Sequence, residues 1–307
     1  MTTNVPPLIA IVGPTASGKS ELAVVLAELL PGEIVNADSM QLYRGMDIGT
    51  AKPDVVERAA VGHHLYDIWD VTQEASVAEY QKRALRAVEE IRSRGRFPLL
   101  VGGSGLYVRA VVDRIEFPGT DPGVRAVLEA ELAGQGAAVL HKRLSLVDPA
   151  AAAAILPSNG RRLVRALEVV EITGRPFSAT LPTYDPDPGC VQLGLDHVDL
   201  DARIDRRVDR MWERGFVAEV QTLIPLGLRT GRTASRALGY QQILAYLDGE
   251  HSIEAARSGT AQATRRFARR QRSWFRRDPR VHWLADTARV EAAVEVIRGA
   301  AMDTLDP

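Results

Sequence analysis

Residues 13–20 read Gly-Pro-Thr-Ala-Ser-Gly-Lys-Ser and fill every fixed position of the phosphate-binding pattern G-x-x-x-x-G-K-[ST]. Such a loop turns backbone N–H groups toward an anion, and the helix that follows adds the positive end of its dipole. Gly13, Pro14, Thr15, Ala16, Ser17, Gly18, Lys19 and Ser20 are therefore the candidate phosphate-binding residues. Lys19 brings a mobile positive charge, and the Ser20 hydroxyl can take Mg²⁺. The chemistry on offer is the grip of a di- or triphosphate.

Asp38 closes the next apolar run, at the end where an acceptor would stand across from the phosphates. It is ionised at neutral pH and can take a proton from an incoming nucleophile. Asp38-Ser39 can equally be a turn that only caps a loop. A nucleotide-hydrolysing P-loop protein usually has a strand ending in an Asp for Mg²⁺. Here the comparable strand ends in Gly102-Gly103-Ser104. Asp67 and Asp196 are weak substitutes, so a transfer in which diphosphate itself leaves is favoured over hydrolysis. Ser104 can hydrogen-bond the acceptor or serve as a turn hydroxyl.

Arginines form a third group. Arg161, Arg162 and Arg165 lie on one stretch, the first and last sharing a helix face. Arg203, Arg206, Arg207 and Arg210 form a second cluster, and a third runs from Arg265 to Arg280 among Phe267, Trp274 and Phe275. Basic residues among aromatics suit phosphate contact with base stacking. Each arginine alone could as well sit on a solvated face paired to acids; three clusters favour an RNA or nucleotide partner. His63 and His64 are adjacent and point apart in a strand, which fits packing better than metal ligation.

These residues need a frame. Runs at 8–12, 33–37 and 97–101 read as strands, with helices at 21–30 and 77–94. Strand–helix alternation implies an α/β core with a parallel sheet flanked by helices, and ligands beyond the strands' carboxyl ends. The P-loop, Asp38-Ser39 and Gly102-Gly103-Ser104 all sit at such ends. Residues 117–190 change character and read as an inserted all-helical module. Asp121-Pro122 and Asp148-Pro149 are helix starts, and a helix at 159–173 stops at Gly174. Pro176, Pro182, Pro186 and Pro188 mark a loop-rich return, and 191–200 reads as a strand rejoining the sheet. The expected division is a core of 1–116 and 191–307 around a 117–190 insertion. The core's later part reads as helical with a short strand at 281–284, and 303–307 as loose.

A chain of 307 residues fits one large domain or a core with an insertion. Hydrophobic residues make up 46% and charged ones 25%, which is ordinary for a globular protein, and the net charge of −1 hides any local basic patch. Cys190 is the sole cysteine, so neither an internal disulfide nor a cysteine-built zinc site can form, and a reducing, cytoplasmic compartment is expected. The first residues lack a basic stretch followed by an apolar one, so no signal peptide is expected. No apolar run nears the roughly 20 residues that span a bilayer. A monomer is the default expectation.

Taken together, these segments resemble tRNA dimethylallyltransferases, also called tRNA isopentenyltransferases. The matching stretches are Gly13 to Ser20, the sixteen residues from Asp38 to Pro53, His63-His-Leu-Tyr-Asp67, Pro98 to Tyr107, Arg161-Arg-Leu-Val-Arg-Ala-Leu-Glu168 and Ser235-Arg-Ala-Leu-Gly-Tyr-Gln241. They fall in order over most of the chain. The resemblance implies transfer of a dimethylallyl group from dimethylallyl diphosphate to the exocyclic amine of the adenosine just 3′ of the tRNA anticodon. It implies Mg²⁺ as cofactor, Asp38 as general base, Lys19 and Arg203 as diphosphate contacts, and Ser104 where the family usually has threonine. It places Asp38, Ser39, Met40, Gln41, Ser104, Arg125, Arg161, Arg162, Leu163, Val164, Arg165, Arg236, Gly239 and Tyr240 against tRNA, with the inserted module as the clamp. The target base must be flipped out to be reached. Rival readings are a P-loop small-molecule or nucleotide kinase, a prenyltransferase of free adenine nucleotides, and a non-catalytic RNA-binding switch gated by nucleotide.

Overall fold

The computed structural model describes residues 5–180, 184, 185, 187 and 189–303. In chain order the elements are β1 (Leu8–Val12), α1 (Lys19–Leu29), β2 (Gly32–Asn36), α2 (Val55–Ala60), β3 (His63–His64), α3 (Val77–Ser93), β4 (Phe97–Gly102) and α4 (Gly105–Val112). Four helices follow: α5 (Pro122–Gln135), α6 (Ala137–Val147), α7 (Pro149–Ala154) and α8 (Gly160–Thr173). Then come β5 (Cys190–Leu195), α9 (Leu200–Glu213), α10 (Phe216–Leu223), α11 (Tyr240–Leu247), α12 (Ile253–Phe275), β6 (Val281–Leu284) and α13 (Arg289–Asp303).

The six strands form one sheet in the order β3-β2-β4-β1-β5-β6, parallel throughout. Parallel strands covered on both faces read as unbroken apolar runs, and β1 is buried at all five positions. Its side chains alternate between two cores. Ile9 and Ile11 pack with Leu99, Val101, Leu193, and with Leu22 and Leu26 of α1. Ala10 and Val12 pack with Val35, Leu100 and the α3 residues Tyr80, Ala84 and Val88. The central position of β1, between β4 and β5, sets the phosphate loop at the middle of the sheet's carboxyl edge.

The chain divides into two compact units, one of Met1–Val112 with Tyr184–Pro307 and one of Asp113–Thr183. This replaces the expected 117–190 boundaries. The Arg109 guanidinium lies 4.0 Å from the centroid of the Tyr184 ring and Arg280 donates to the Asp185 carbonyl at 3.0 Å, so the returning chain belongs to the first unit before the strand begins. Pro182, Pro186 and Pro188 of the expected loop-rich return, and residues 304–307 of the expected loose tail, lie outside the described residues. The rejoining strand is shorter than the 191–200 expected: Asp196 accepts from the His197 amide, His197 Nδ1 accepts from the Asp199 amide, and Leu200 already starts α9.

The second unit has its own core of Leu128, Leu140, Leu144, Ile155, Leu163 and Leu167. Asp121 and Asp148 cap α5 and α7 as their Asp-Pro pairs predict, and Asn159 caps α8. Asp148 is only 2% exposed. Its carboxylate accepts from Ala151 N, Ser178 N and Ser178 Oγ at 2.8–3.0 Å. Burial pushes its pKa up, but these hydrogen bonds outweigh that and hold it below its usual value. The stabilisation is therefore present above the ordinary carboxylate range and lost as pH falls below it. Asp148→Ala is expected to destabilise this unit by about 2–4 kcal/mol, read by urea unfolding at neutral pH, because it removes a cap and orphans buried donors.

Candidate active site

The phosphate loop leaves β1 at Gly13, whose φ of +140° only glycine adopts easily; a Cβ there would overlap the Leu195 carbonyl of β5. Gly18, at φ +94°, caps α1 without any side-chain acceptor, so the first-turn amides stay available to an anion. Ser17 is fully buried and its Oγ has no partner among the described residues. Lys19 Nζ donates to the Pro14 carbonyl at 2.6 Å. Burial, and then the Arg207 guanidinium, lower the Lys19 pKa to about 7, with Asp38 pulling the other way. Ser20 is exposed at the start of α1.

Two arginines of α9 brace this loop. Arg203 Nε donates to the Ala16 carbonyl at 2.7 Å, and Arg207 donates to Thr15 Oγ1 at 3.2 Å. Of the two, Arg207 lines the neighbouring cavity, whereas Arg203 acts on the loop's backbone from outside that lining.

Asp38 lies just past β2. Its amide donates to Asn36 Oδ1 and its Oδ1 accepts from the Met40 amide, both at 2.9 Å. Burial pushes its pKa up, opposed by the Met40 amide and by Lys19. Gly102 lets β4 close on β2, since a Cβ there would overlap the Ala37 backbone. That approach places Ser104 beside Ser39: Ser104 Oγ accepts from the Ser39 amide at 3.0 Å and donates to Ser39 Oγ at 3.1 Å.

A cavity of about 230 Å³ joins these groups. Thr15, Asp38, Ser39, Ser104 and Arg207 form its polar wall; Met40, Val208, Met211, Leu238 and Phe267 form its apolar wall; Gly49, Thr50, Arg236 and Tyr240 also line it. One unit thus sets hydroxyl, carboxylate and guanidinium groups against an apolar wall around a single cavity. Asp67 and Asp196, weighed as metal ligands, are instead engaged by cations: Asp67 by Lys52 and Arg58, Asp196 by Arg272 and Arg276. His64 pairs with Glu33 and His63 with the Val61 carbonyl, in agreement with a packing role. Among the described residues no three His, Cys, Asp or Glu side chains gather into a metal site.

A family model described as IPP transferase matches residues 41–278. The chain belongs to the IPP transferase family. It is 64% identical to a tRNA dimethylallyltransferase of Streptomyces coelicolor over 91% of this chain and 90% of that one. It is 63% identical to the tRNA dimethylallyltransferase of Salinispora arenicola over 96% of this chain and 87% of the relative. Among solved structures, the tRNA isopentenylpyrophosphate transferase of Bacillus halodurans superposes with TM-score 0.71 at 41% identity, covering 97% of this chain and 98% of the other. A eukaryotic dimethylallyltransferase acting on tRNA superposes at 0.82 with 26% identity, covering 97% and 80%.

Several residues that the resemblance sets against RNA are buried or already paired within the protein. Leu163 and Val164 are buried in the second unit's core, which leaves their side chains unable to meet a ligand. Arg125 and Arg165 converge on buried Glu168 at 2.7 Å each, and Arg165 also donates to the Pro118 carbonyl. Arg161 and Arg162 are exposed and have no ion pair among the described residues. Gly239 and Tyr240 are buried, and the Tyr240 hydroxyl donates to Glu219 at 2.6 Å; Arg236 is exposed. Gln41 donates to the carbonyls of Thr50 and Ala51.

The C-terminal arginines are largely neutralised. Asp201, Asp205 and Asp209, spaced four apart on α9, pair with Arg269, Arg265 and Arg257 of α12. Arg266, Arg270 and Arg277 are exposed and, among the described residues, without an acidic partner. Sequence reasoning missed three organisers. Glu219 accepts from the amides of Asp47, Ile48 and Gly49. Buried Lys52 ties Tyr43, Asp47 and Asp67 together at 2.6 Å each. Gln271 bonds to the phosphate loop. Lys52 falls within the sixteen-residue matching stretch from Asp38 to Pro53, the one signal that could have singled it out.

Proposed function

We infer that the protein transfers the dimethylallyl group of dimethylallyl diphosphate to the exocyclic N6 amine of the adenosine 3′-adjacent to the anticodon in tRNA. The observation supporting the residue roles is that Asp38, Ser104, Thr15 and Arg207 line one cavity with an apolar wall. The loop amides, Lys19 and Arg207 hold the diphosphate, with Arg203 bracing the loop. The five-carbon chain lies against Val208, Met211, Leu238 and Phe267. As the allylic C–O bond breaks, its electron pair leaves on diphosphate oxygen and positive charge develops on the allylic carbon. Fixed donors aimed at that oxygen are the main lever on the barrier. The N6 lone pair forms the new C–N bond, and the N6 proton passes to the Asp38 carboxylate.

Mg²⁺ fits the diphosphate end, since Ser20 offers an exposed hydroxyl there and this metal takes most of its ligands from phosphate oxygens and water. Bound there, it would neutralise charge on the leaving group. Arg161, Arg162 and Arg236 are the exposed charges of the expected RNA contacts, and Ser39, Met40 and Gln41 flank the acceptor position. No described helix is long and apolar enough to cross a membrane.

Radiolabelled dimethylallyl diphosphate, Mg²⁺ and unmodified tRNA test the reading, with AMP and ATP as controls. Label on tRNA is expected; label on AMP, or phosphate transfer from ATP, would sink it. In the same assay Ser104→Ala is expected to lower kcat about tenfold, because the Ser39 amide beside the base loses its acceptor, while Ser104→Thr stays near wild type.

A further inference from the structure

Gln271 lies on α12, far in sequence from either half of the site, and is 5% exposed. Its Oε1 accepts from the Thr15 amide of the phosphate loop at 2.9 Å, and its Nε2 donates to the Gly103 carbonyl at 2.8 Å. Gly103 precedes Ser104, whose hydroxyl holds Ser39 next to Asp38. One rigid amide therefore spans from the diphosphate cradle to the turn that carries the acceptor side. The approach is tight: a Cβ on Gly103 would overlap Gln271 Nε2. Gln271 does not line the cavity. Its amide offers one acceptor and one donor facing opposite ways, and no charged side chain of similar size supplies both at neutral pH.

We propose that Gln271 is a positioning residue that sets the separation between the diphosphate cradle and the acceptor base. The proposal rests on the transferase reading above. A residue that fixes the distance between two half-sites should leave each half-site's own affinity nearly intact and act on the step that needs both. Misplacement by about 1 Å can cost on the order of a hundredfold in rate.

The test compares wild type with Gln271→Met, which keeps bulk but loses both bonds, and Gln271→Glu, which is nearly isosteric. Thermal unfolding first confirms that each variant is folded. Steady-state kinetics on tRNA and dimethylallyl diphosphate are expected to show kcat lowered about 10- to 100-fold, with KM for each substrate within about threefold of wild type. Gly103→Ala, which pushes on the same contact from the other side, is expected to show the same split. Gln271→Glu carries a further signature. Protonation gives its carboxyl an O–H that can donate to the Gly103 carbonyl, so its kcat relative to wild type should rise as pH falls. Unchanged kcat, a loss confined to KM, or a pH-independent Glu ratio would overturn the proposal. An active wild type with such variants defeats the positioning role alone; a wild type that transfers nothing to tRNA defeats the transferase reading and the proposal with it.

Discussion

Asp38→Asn is expected to lower kcat about 10²- to 10⁴-fold, the range for losing a positioned general base, with tRNA affinity little changed. The adenine amine is a weak nucleophile because its lone pair is delocalised into the ring, so its proton must leave as the C–N bond forms. Asn keeps an oxygen that accepts from the Met40 amide, so the loop geometry survives and the loss reports chemistry. The pH profile separates the cases. Burial raises the Asp38 pKa above its ordinary value, so wild-type kcat/KM should fall as pH is lowered through a midpoint above the usual carboxylate range, and the Asn variant should lack that limb. A carboxyl with a raised folded-state pKa adds stability only in its protonated form, which is lost as pH rises through that pKa. At neutral pH the Asn variant should therefore melt no lower than wild type. A variant with an unchanged acid limb would remove Asp38 from the proton-transfer step.

Lys19→Met is expected to cost about 10²- to 10³-fold in kcat, the scale for deleting one preorganised donor to a developing anion. Its ammonium bonds to the Pro14 carbonyl, and burial with the nearby Arg207 lowers its pKa to about 7. An arriving diphosphate supplies the negative charge that this cation lacks. Negative charge on the bridging oxygen grows as the C–O bond breaks, so kcat should suffer more than KM for dimethylallyl diphosphate. An effect confined to KM would assign Lys19 to ground-state binding only. Between the folded value of about 7 and the free value of 10.5, the unfolded chain holds a proton that the folded chain releases. Stability from this group thus rises with pH across that window, and Lys19→Met should raise the unfolding temperature of the ligand-free protein at neutral pH. Both variants would trade activity for stability, as strained and desolvated sites commonly do.

What could be read from the sequence was whatever depends on neighbours along the chain. The eight-residue phosphate loop carries its own positive-φ glycines and its flanking strand and helix. Unbroken apolar runs at 8–12 and 97–101 specify strands buried on both faces. Asp121 and Asp148 each stand one residue before a proline and cap the helices they announce. The tertiary structure decided what depends on segments brought together across the sheet. Arg125 and Arg165, which the resemblance sets against tRNA, both pair with buried Glu168, and Arg257, Arg265 and Arg269 of α12 each meet an aspartate at every fourth residue of α9. Tyr240, which the resemblance sets against tRNA, lines the cavity while its hydroxyl is held by Glu219 from a distant helix. Gln271 shows no local pattern at all, because its two partners lie 256 and 168 residues away. A charged or polar side chain has the same identity whether it meets solvent, ligand or another residue. Only the fold determines which of these it meets, since pairing requires non-local segments to pack first.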